Sequence, residues 1–591
     1  MSKPLTDEDL QVRAAIDGRA AFATAALAVA GVLVALLDRV GAPPRLVAVL
    51  GPAVALAGLS AIGVLLRDMR ISRFYAAGCV VPASYAGFAF AALAAGLFAP
   101  FLPPARGGPS SELVLWSFAG GVACAGLIVG PLLRRTGAFS VPDLIANRFP
   151  NLALRFGVVA VIGAVGLLVA IAGFATAATA LSEGMGLSSR LAGALIGVVV
   201  CFVLAPGGVG GLVWASAGAA GILLAGLALP LAIVWIGGEA PPLPVIGDVT
   251  AWAAALRRFG EWNIGAASSE PAGPAVVLAI VLGIGSLAPL LTPATSTSGG
   301  KAARGAGLAG FLWCVAFAAL AAATLALSAL AIDSATRGLR PESLSPSILS
   351  ASGAGLLEIC GGHPGGAAAA RALCAARPNF SGILNSSDIV ASGGFLLLAL
   401  PALRGLGGAL SGLAVAGVIA IGTAISAAGV QTFATAFGHD LFYRVRDATA
   451  MTSRRLAVTR ALIIGAVALV AAVLAPLAPD PRQMTGLAIL FGAATVMPLL
   501  ALSIWPRAEG GDAAAALLAG LAAIEAYIFF NGGVGSLDSA GRAAVFSCAV
   551  STLTGVAASF LHPADPAGRG GVFALGILRG AEDMLDTDKG A

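Results

Sequence analysis

Charged and aromatic residues are scarce in this chain of 591 residues. Charged side chains make up 11% of it and aromatic side chains 6%, whereas apolar residues make up 58% and the mean hydropathy is +0.95. Soluble domains carry about 25% charged residues. So few charges cannot cover a globular surface in water, and the composition therefore argues against a soluble enzyme, a nucleic-acid-binding protein and a disordered protein. It indicates a polytopic membrane protein.

Cysteine is also rare, with seven residues and neither a C-x-x-C pair nor a metal-ligand spacing. We therefore expect no bound cofactor, and the scattered net charge of +5 does not favour nucleic acid as a partner. Cys360 and Cys374 share one long hydrophilic segment and could form a disulfide if that segment is periplasmic. The other five lie in apolar runs and are expected to be small buried side chains: Cys79, Cys124, Cys201, Cys314 and Cys548.

Apolar runs of about 20 residues, the length that crosses a bilayer, occur 14 times. The predicted spans are Ala20–Leu37, Val47–Leu66, Gly78–Phe101, Leu113–Leu133, Phe156–Leu181, Leu191–Leu204, Leu212–Ile236, Ala275–Leu291, Leu308–Ile332, Leu406–Phe437, Leu456–Leu477, Leu487–Trp505, Ala513–Phe530 and Ala544–Leu561. A shorter run, Ile389–Leu403, contains Pro401 and is predicted to be an interfacial or re-entrant helix.

Basic residues predict the orientation, because Lys and Arg collect on the cytoplasmic side. They follow the second, fourth, eighth, tenth and twelfth spans: Arg67, Arg70, Arg73; Arg134, Arg135, Arg148; Lys301, Arg304; Arg444, Arg446, Arg454, Arg455; and Arg507. Both termini are then cytoplasmic, in a bacterial-type inner membrane, and the long loop Asp333–Arg404 lies outside. Arg257 and Arg258 break this pattern. The acidic first 19 residues do not resemble a signal peptide.

Two spans carry the helix breakers that mark binding sites in transporters. The third reads GFAFAALAAGLFAPFLPP, and the eighth, with the residues after it, reads VLGIGSLAPLLTPATSTSGG. The eighth is the stronger case, because glycines and prolines interrupt it and hydroxyl groups lie at the break. Gly285, Ser286 and Thr292 are therefore candidate ligands for a solute or an ion. A proline-kinked packing helix is the alternative for both spans.

Five stretches, in order along the chain, resemble the sodium:solute symporter family and, within it, the acetate-permease-like (cation/acetate symporter) branch. They are Phe74–Gly78, similar to Y-x-x-A-G; Gly137–Asp143 with Asn147–Phe149, similar to G-x-[YF]-[TS]-x-x-D…R-[FY]; Gly207-Gly208 with Trp214, similar to G-G-x-x-x-x-x-W; Ala424–Tyr443, which ends like [HE]-D-L-[YF]; and Met497–Leu500 with Ser503 and Trp505. The resemblance covers about residues 70–505.

The resemblance implies an all-α membrane protein of about 14 helices with a five-plus-five inverted-repeat (LeuT-like) core. The implied divisions are a cytoplasmic segment 1–19, two additional helices in 20–66, a symporter core 74–505, two C-terminal helices in 513–561 and a cytoplasmic tail 562–591. Within the core, the first repeat covers about 78–236 and the second about 275–505, with the outer loop 333–404.

The resemblance also implies sodium as the coupling ion, with candidate ligands Ala92 and Ala95 on the third span and Thr423 and Ser426 on the tenth. The chain departs from the family at both places. Where many members have a polar group, residues 92–95 read ALAA. The family's hydroxyl pair falls on Ala424-Ile425, so the nearby hydroxyls are shifted by about 100° per residue around the helix.

Three further polar residues are candidates for a role inside the membrane or at its edge. Gln431 on the tenth span is costly in lipid and should face the bundle interior, as a site residue or in an interhelical hydrogen bond. Glu525 is the only acid well inside a predicted span; it either snorkels or carries a proton. Asp143 caps the short helix after Pro142 or forms a gating salt bridge.

These observations predict a secondary active transporter that is not an enzyme. The resemblance implies symport of Na⁺ with a small organic solute, a monocarboxylate such as acetate, in the lipid bilayer and with a possible small membrane subunit. Two alternatives are a transporter-like sensor or regulatory subunit without coupling, and a proton-coupled transporter that uses Glu525.

Overall fold

The computed structural model describes residues 7–67, 69–102, 111–236, 273–353, 357–378, 380–385, 388–391, 393–446, 449–477, 479–535 and 537–561. The predicted tail 562–591, the first six residues and Arg257 and Arg258 lie outside them.

The described chain is predominantly helical, because only a helix satisfies every backbone polar group of a single segment in lipid. Its helices are α1 (Asp7–Arg39), α2 (Pro44–Leu65), α3 (Ile71–Ala76), α4 (Ala83–Phe98), α5 (Ser111–Cys124), α6 (Gly130–Arg135), α7 (Val141–Arg148), α8 (Leu152–Met185), α9 (Ser189–Ile236), α10 (Pro274–Gly285), α11 (Ala288–Thr295), α12 (Gly300–Thr336), α13 (Pro346–Gly353), α14 (Ala367–Ala375), α15 (Gly393–Leu403), α16 (Gly408–Thr435), α17 (Thr452–Leu477), α18 (Pro481–Phe491), α19 (Met497–Ser503), α20 (Gly510–Asn531) and α21 (Leu537–Ala558). π-helical segments join α5 to α6 (Ala125–Val129), extend α16 (Ala436–Arg446) and join α18 to α19 (Gly492–Val496).

Within the described residues, 12 helices are long and apolar enough to cross a membrane, or 13 if the bent pair α10 and α11 forms one span. The predicted count of about 14 is not confirmed. The difference lies in α9, which is counted once although its 48 residues contain both Leu191–Leu204 and Leu212–Ile236. A straight helix of that length would be about 72 Å long, more than twice a bilayer core.

The segment α9 is not straight, because it turns sharply at Gly208. This glycine has φ 55° and ψ −137°, and a Cβ on it would collide with the carbonyl oxygen of Phe74. The Cβ position of Gly211 lies in contact with the carbonyl oxygen of Val203, eight residues earlier. Eight residues of a straight helix would separate these groups by about 12 Å. Only a glycine fits the backbone at this turn.

Two local predictions are wrong. The third span is not broken, since α4 runs continuously over its 16 residues and Pro100 lies beyond its end, in a 3₁₀ turn Ala99–Phe101. Its alanines favour a helix, its two interior glycines do not break it, and its prolines follow its last residue. In the run Ile389–Leu403, only Gly393–Leu403 is helical. Its first three residues form strand β2 (Ile389–Ala391), which pairs antiparallel with β1 (Leu357–Ile359).

The centre of the molecule is the close contact between α8 and α16. A Cβ on Gly166 would lie 2.7 Å from the carbonyl oxygen of Gly429, and one on Gly173 would lie 2.7 Å from that of Gly422. Small residues at these crossings let the two backbones touch, which is how helices pack in a membrane where no hydrophobic driving force acts between them. The tenth predicted span is therefore an interior helix.

The basic segments gather at one end of the bundle, as their placement predicted. Arg134 donates to the carbonyl oxygen of Thr297 (2.6 Å), and Arg148 donates to those of Ser503, Trp505 and Ala508 (3.2, 3.2 and 3.0 Å). The helix α12 leaves this end and is about 55 Å long at 1.5 Å per residue, so it delivers the segment after Thr336 to the opposite end. There Cys360 and Cys374 are joined by a disulfide.

Candidate functional site

The eighth predicted span is broken, and the break lies where its sequence indicates. Helices α10 and α11 meet at Ser286 and Leu287 with a bend of 42°. The hydroxyl of Ser286 donates to the carbonyl oxygens of Leu282 and Gly283, both at 3.0 Å, and so caps the end of α10. Gly285 is buried against Cys124 and Met497. These two candidates shape the break and do not line the neighbouring cavity.

A cavity lies between α11, α8, the end of α16 and the segment that leads into α7. Its volume is about 40 Å³, enough for about three water molecules. The lining residues are Tyr75, Leu133, Phe139, Ser140, Val141, Pro142, Ile162, Val209, Ala288, Leu291, Thr292, Thr295, Gln431, Thr432, Thr435 and Ala436. Two sequence-predicted candidates, Thr292 and Gln431, therefore face one space from opposite helices.

Three threonine hydroxyls in the lining of this cavity direct their hydrogens toward their own helices. Thr292 donates to the carbonyl oxygen of Pro289 (3.0 Å), Thr295 to that of Thr292 (2.8 Å) and Thr432 to that of Ala428 (2.8 Å). Their lone pairs remain available to the cavity. A lining of this kind presents hydrogen-bond acceptors, which suit a cation or a hydrogen-bond donor.

Gln431 faces the interior of the bundle, as its polarity predicted. It is 1% exposed, and its Nε2 donates to Thr435 Oγ1 at 3.1 Å. Its Oε1 has no hydrogen-bond partner among the described residues. A buried amide oxygen without a partner is costly. We read this oxygen as the polar atom most available to a ligand in the cavity.

The four candidate sodium ligands do not converge as a set. Helix α4 meets α16 where a Cβ on Gly96 would touch the backbone of Ile421 and the side chain of Ile425. Thr423 lies about 200° around the helix from Ile421 and points away from α4, with its hydroxyl on the carbonyl oxygen of Ile419 (2.7 Å). Ala92 lies on the face of α4 that carries Gly96, and Ala95 O already accepts from the N–H of Ala99.

Ser426 differs from Thr423 in its surroundings. It is fully buried beside α8, where its backbone nitrogen would lie 2.7 Å from a Cβ on Gly173. Its hydroxyl has no hydrogen-bond partner among the residues that the structure describes. Glu525, by contrast, is exposed on the outer surface of α20, so its carboxyl group does not enter the bundle.

The segment Phe139–Pro142, which leads into and begins α7, forms part of the cavity wall. Ser140 is the N-cap of α7, where its hydroxyl accepts from the N–H of Asp143 (3.1 Å) and donates to Asp440 Oδ2 (2.7 Å). The prediction that Asp143 is itself the cap is therefore wrong. Asp143 lies in the first turn, where Oδ2 accepts from the N–H of Phe139 (3.3 Å) and Oδ1 lies 3.6 Å from Arg444.

Charge and burial distinguish the groups around this segment. Burial raises the pKa of Asp143 above its usual value, and Arg444, the N–H of Phe139 and Asn147 oppose that rise. Burial also raises the pKa of Tyr75, whose hydroxyl lies 2.6 Å from that of Thr459. A neutral phenol is thus held at the wall of the cavity.

Sequence reasoning missed three polar lining residues, Tyr75, Ser140 and Thr435. Tyr75 and Ser140 lie in stretches that carry the family resemblance. Helical spacing from Gln431 could have found Thr435, because residues four apart share a helix face. Thr295, one of the hydroxyl residues at the break of the eighth span, and Thr432, next to Gln431, also line the cavity.

Comparison with known proteins agrees with this architecture. No family model matches the chain. A Cupriavidus necator protein described as an uncharacterized symporter is 32% identical over 155 residues, 26% of this chain, and the chain spans only about a fifth (22%) of that relative's length. A substrate-bound, outward-open Na⁺-coupled sialic acid symporter matches with a TM-score of 0.62 at 15% identity, over 88% of this chain and 98% of that one.

The inward-facing form of Mhp1 matches with a TM-score of 0.40 at 12% identity, over 83% of this chain and 94% of that one. The likeness to the sialic acid symporter covers nearly the whole of both chains and shows a shared fold. The chain is therefore an all-α polytopic membrane protein of the LeuT-like fold.

Proposed function

We propose that the protein is a secondary active transporter of the inner membrane, which carries a small organic acid together with Na⁺. The observation that carries this proposal is the cavity beside the break between α10 and α11, with Gln431 of α16 in its wall. Transporter sites form where discontinuous helices expose backbone groups and helix ends to an enclosed space. The Cupriavidus necator relative, which is named as a symporter, and the sialic acid symporter, which has a similar fold, also support a transporter.

The size and polarity of the cavity support a small solute. At about 40 Å³ it is too small in this conformation for a sugar acid, and it suits a molecule of a few heavy atoms such as acetate. Helix α11 lies along the cavity wall, which it lines from Ala288 at its N-terminus to Thr295 at its C-terminus. The amide nitrogen of Gln431 donates one hydrogen to Thr435 and has a second that it can donate to a carboxylate.

Sodium is the proposed coupling ion, and Ser426 is its most informative candidate ligand. Its buried hydroxyl oxygen has no partner in the described part of the chain, whereas Thr423 is bonded to its own helix on the far side of α16 from α4. The sodium coupling of the sialic acid symporter supports the ion. We expect Ser426→Ala to weaken the Na⁺ stimulation of uptake and Thr423→Val to leave it unchanged.

Uptake of radiolabelled acetate into proteoliposomes tests the proposal. With an inward Na⁺ gradient we expect uptake to exceed that without Na⁺. Equal uptake under both conditions would reject sodium coupling. Absence of acetate uptake in both, together with no acetate-dependent thermal shift, would reject acetate as the solute. An acetate-dependent thermal shift without uptake would favour the sensor alternative.

The cavity itself is tested by variants that keep side-chain shape. Thr292→Val and Gln431→Met each remove hydrogen-bonding atoms from the wall. Loss of one hydrogen bond of about 1.4 kcal/mol lowers affinity about tenfold, so each variant should raise the acetate concentration at half-maximal uptake by about that factor. Thr324→Val is the matched control, since Thr324 is a buried threonine that donates to its own helix and does not line the cavity.

A further inference from the structure

A second polar cluster lies behind the wall of the cavity, at the inner end of α16. Asp440 is 1% exposed and His439 is fully buried. Asp440 Oδ2 accepts one hydrogen bond, from Ser140, while Asp440 Oδ1 and both ring nitrogens of His439 have no hydrogen-bond partner among the described residues. His439 Nδ1 lies 3.9 Å from Asp440 Oδ1. The π-helical turn Ala436–Arg446 places these neighbours, and such turns recur at functional sites.

The carboxyl group of Asp143, which neighbours that of Asp440, has a different set of hydrogen-bond donors around it. Asp143 accepts from the N–H of Phe139 and from Asn147 Nδ2 (3.2 Å), and Arg444 lies 3.6 Å away. An ionised carboxylate needs several donors when it is buried. Asp143 has them, and Asp440 has a single hydroxyl. Of the two, Asp440 is the carboxyl group with the fewer hydrogen-bond donors for an ionised form.

The charged and titratable groups that face Asp440 come from every element packed around it. Asp143 lies on α7, Arg155 on α8, and Arg444 on the same helical turn as Asp440. The guanidinium group of Arg455, on α17, lies 3.2 Å from the ring centre of Tyr443. Its positive charge also interacts electrostatically with Tyr75 and His439. The ring of His439 packs against those of Tyr75 and Phe139, at 4.9 and 5.4 Å between centres.

We propose that Asp440 is a proton-binding site, and that its proton keeps the segment Phe139–Pro142 closed over the cavity. A neutral Asp440 accepts from Ser140 through one oxygen and, after a small rotation, donates through the other to the nearby nitrogen of His439. Ser140 is also the cap of α7 and lines the cavity, so one side chain joins the proton site to the closing segment.

Loss of the proton would place two carboxylates beside Arg444. The proton would leave to water through the cavity that Ser140 lines. Arg444 would then be shared between Asp143 and Asp440, which weakens its hold on α7 and frees the segment to open toward the basic end of the bundle. This role rests on the proposed transport function, but the proton site itself can be measured without any transport.

The first test is infrared difference spectroscopy of the purified protein, titrated from about pH 5 to about pH 9. We expect the carbonyl stretch of a buried protonated carboxyl group, lost in Asp440→Asn and kept in Asp143→Asn. Ser140→Ala should shift this band and not remove it, because only its hydrogen bond is lost. The exposed Asp538→Asn is the control. A band that survives Asp440→Asn, or vanishes only in Asp143→Asn, would overturn the proposal.

The second test is hydrogen–deuterium exchange of the peptide around residues 139–148, corrected for the intrinsic pH dependence of exchange. One linked proton changes an opening equilibrium by up to about tenfold per pH unit. We expect protection of this peptide to fall with rising pH in the wild type and to be independent of pH in Asp440→Asn. The same pH dependence in both proteins would refute the link between proton and closure, whether or not acetate is transported.

Discussion

The contact between α8 and α16 gives the sharpest test of how this molecule is held together. A Cβ added to Gly429 would overlap the carbonyl oxygen of Gly166 and lie 2.6 Å from the nitrogen and 3.0 Å from the Cα of Ala170. All three are backbone atoms, so no side chain can turn aside. We therefore expect Gly429→Ala to push the two helices apart.

The magnitude follows from the overlap. Relief needs a movement of roughly 0.5–1 Å, and such a gap already forfeits a quarter to a half of each dispersion contact along the seam. Overpacking of well-packed interiors costs about 1–3 kcal/mol, and the rigid partners here place Gly429→Ala at about 3 kcal/mol. The neighbouring crossing of Gly173 with Gly422 would loosen with it, because both lie on one pair of helices.

The assay is thermal stability in a mild detergent, read as the temperature at which the monodisperse peak is lost from size-exclusion chromatography. Gly465→Ala is the matched control, since Gly465 lies inside α17 with no atom within 4 Å of its Cβ position. Helix propensity alone makes this control neutral to about 1 kcal/mol stabilising. If Gly429→Ala proved as stable as Gly465→Ala, the inference that backbone contact holds α8 to α16 would be refuted.

Three further outcomes are expected. Arg148→Met removes the donor to the carbonyl oxygens of Ser503, Trp505 and Ala508 and should cost about 2 kcal/mol in the same thermal assay, whereas Arg542→Met, which breaks a surface pair with Asp538, should cost about 0.5 kcal/mol or less. Paired Cys360→Ser and Cys374→Ser substitutions open a loop of 14 residues, worth about 3 kcal/mol of closure entropy, and should speed proteolysis of the segment 333–404; an unchanged rate would count against this. Glu525→Gln should leave the pH profile of uptake intact, because this side chain is exposed; a shifted profile would restore it as a proton carrier.

Local sequence predicted the features that local chemistry determines. Gly285 and Pro289 cannot continue a helix ladder undisturbed, so the break of the eighth span could be placed from its residues alone. Gln431 is too costly for lipid, so its interior position was also predictable. The third span could not be decided in this way. Its prolines follow the last helical residue, and its two interior glycines are tolerated within a run of alanines.

Tertiary packing determined what the sequence left open. The sequence of α16 does not predict that Thr423 points away from α4, because that orientation depends on which residues of α16 contact Gly96. The sequence places Asp440 and His439 at a polar helix end, and they are buried because α7, α8 and α17 pack around that end. Ser140 likewise gains its second partner from a residue 300 positions away.

Hydrogen bonds and close backbone contacts between helices indicate which helices must move together. The N–H of Val81, just before α4, donates to the carbonyl oxygen of Ser296, just after α11. These two helices are therefore joined at the end of the bundle where the basic segments gather. Helices α8 and α16 are joined along their length by glycine contacts. The cavity lies between the two pairs, with Thr292 on one and Gln431 on the other. A solute bound there must leave when the two pairs of helices separate. The segment Phe139–Pro142 is bonded through Ser140 to the extension of α16. When the pairs separate, this segment must therefore either move with α16 or lose that hydrogen bond.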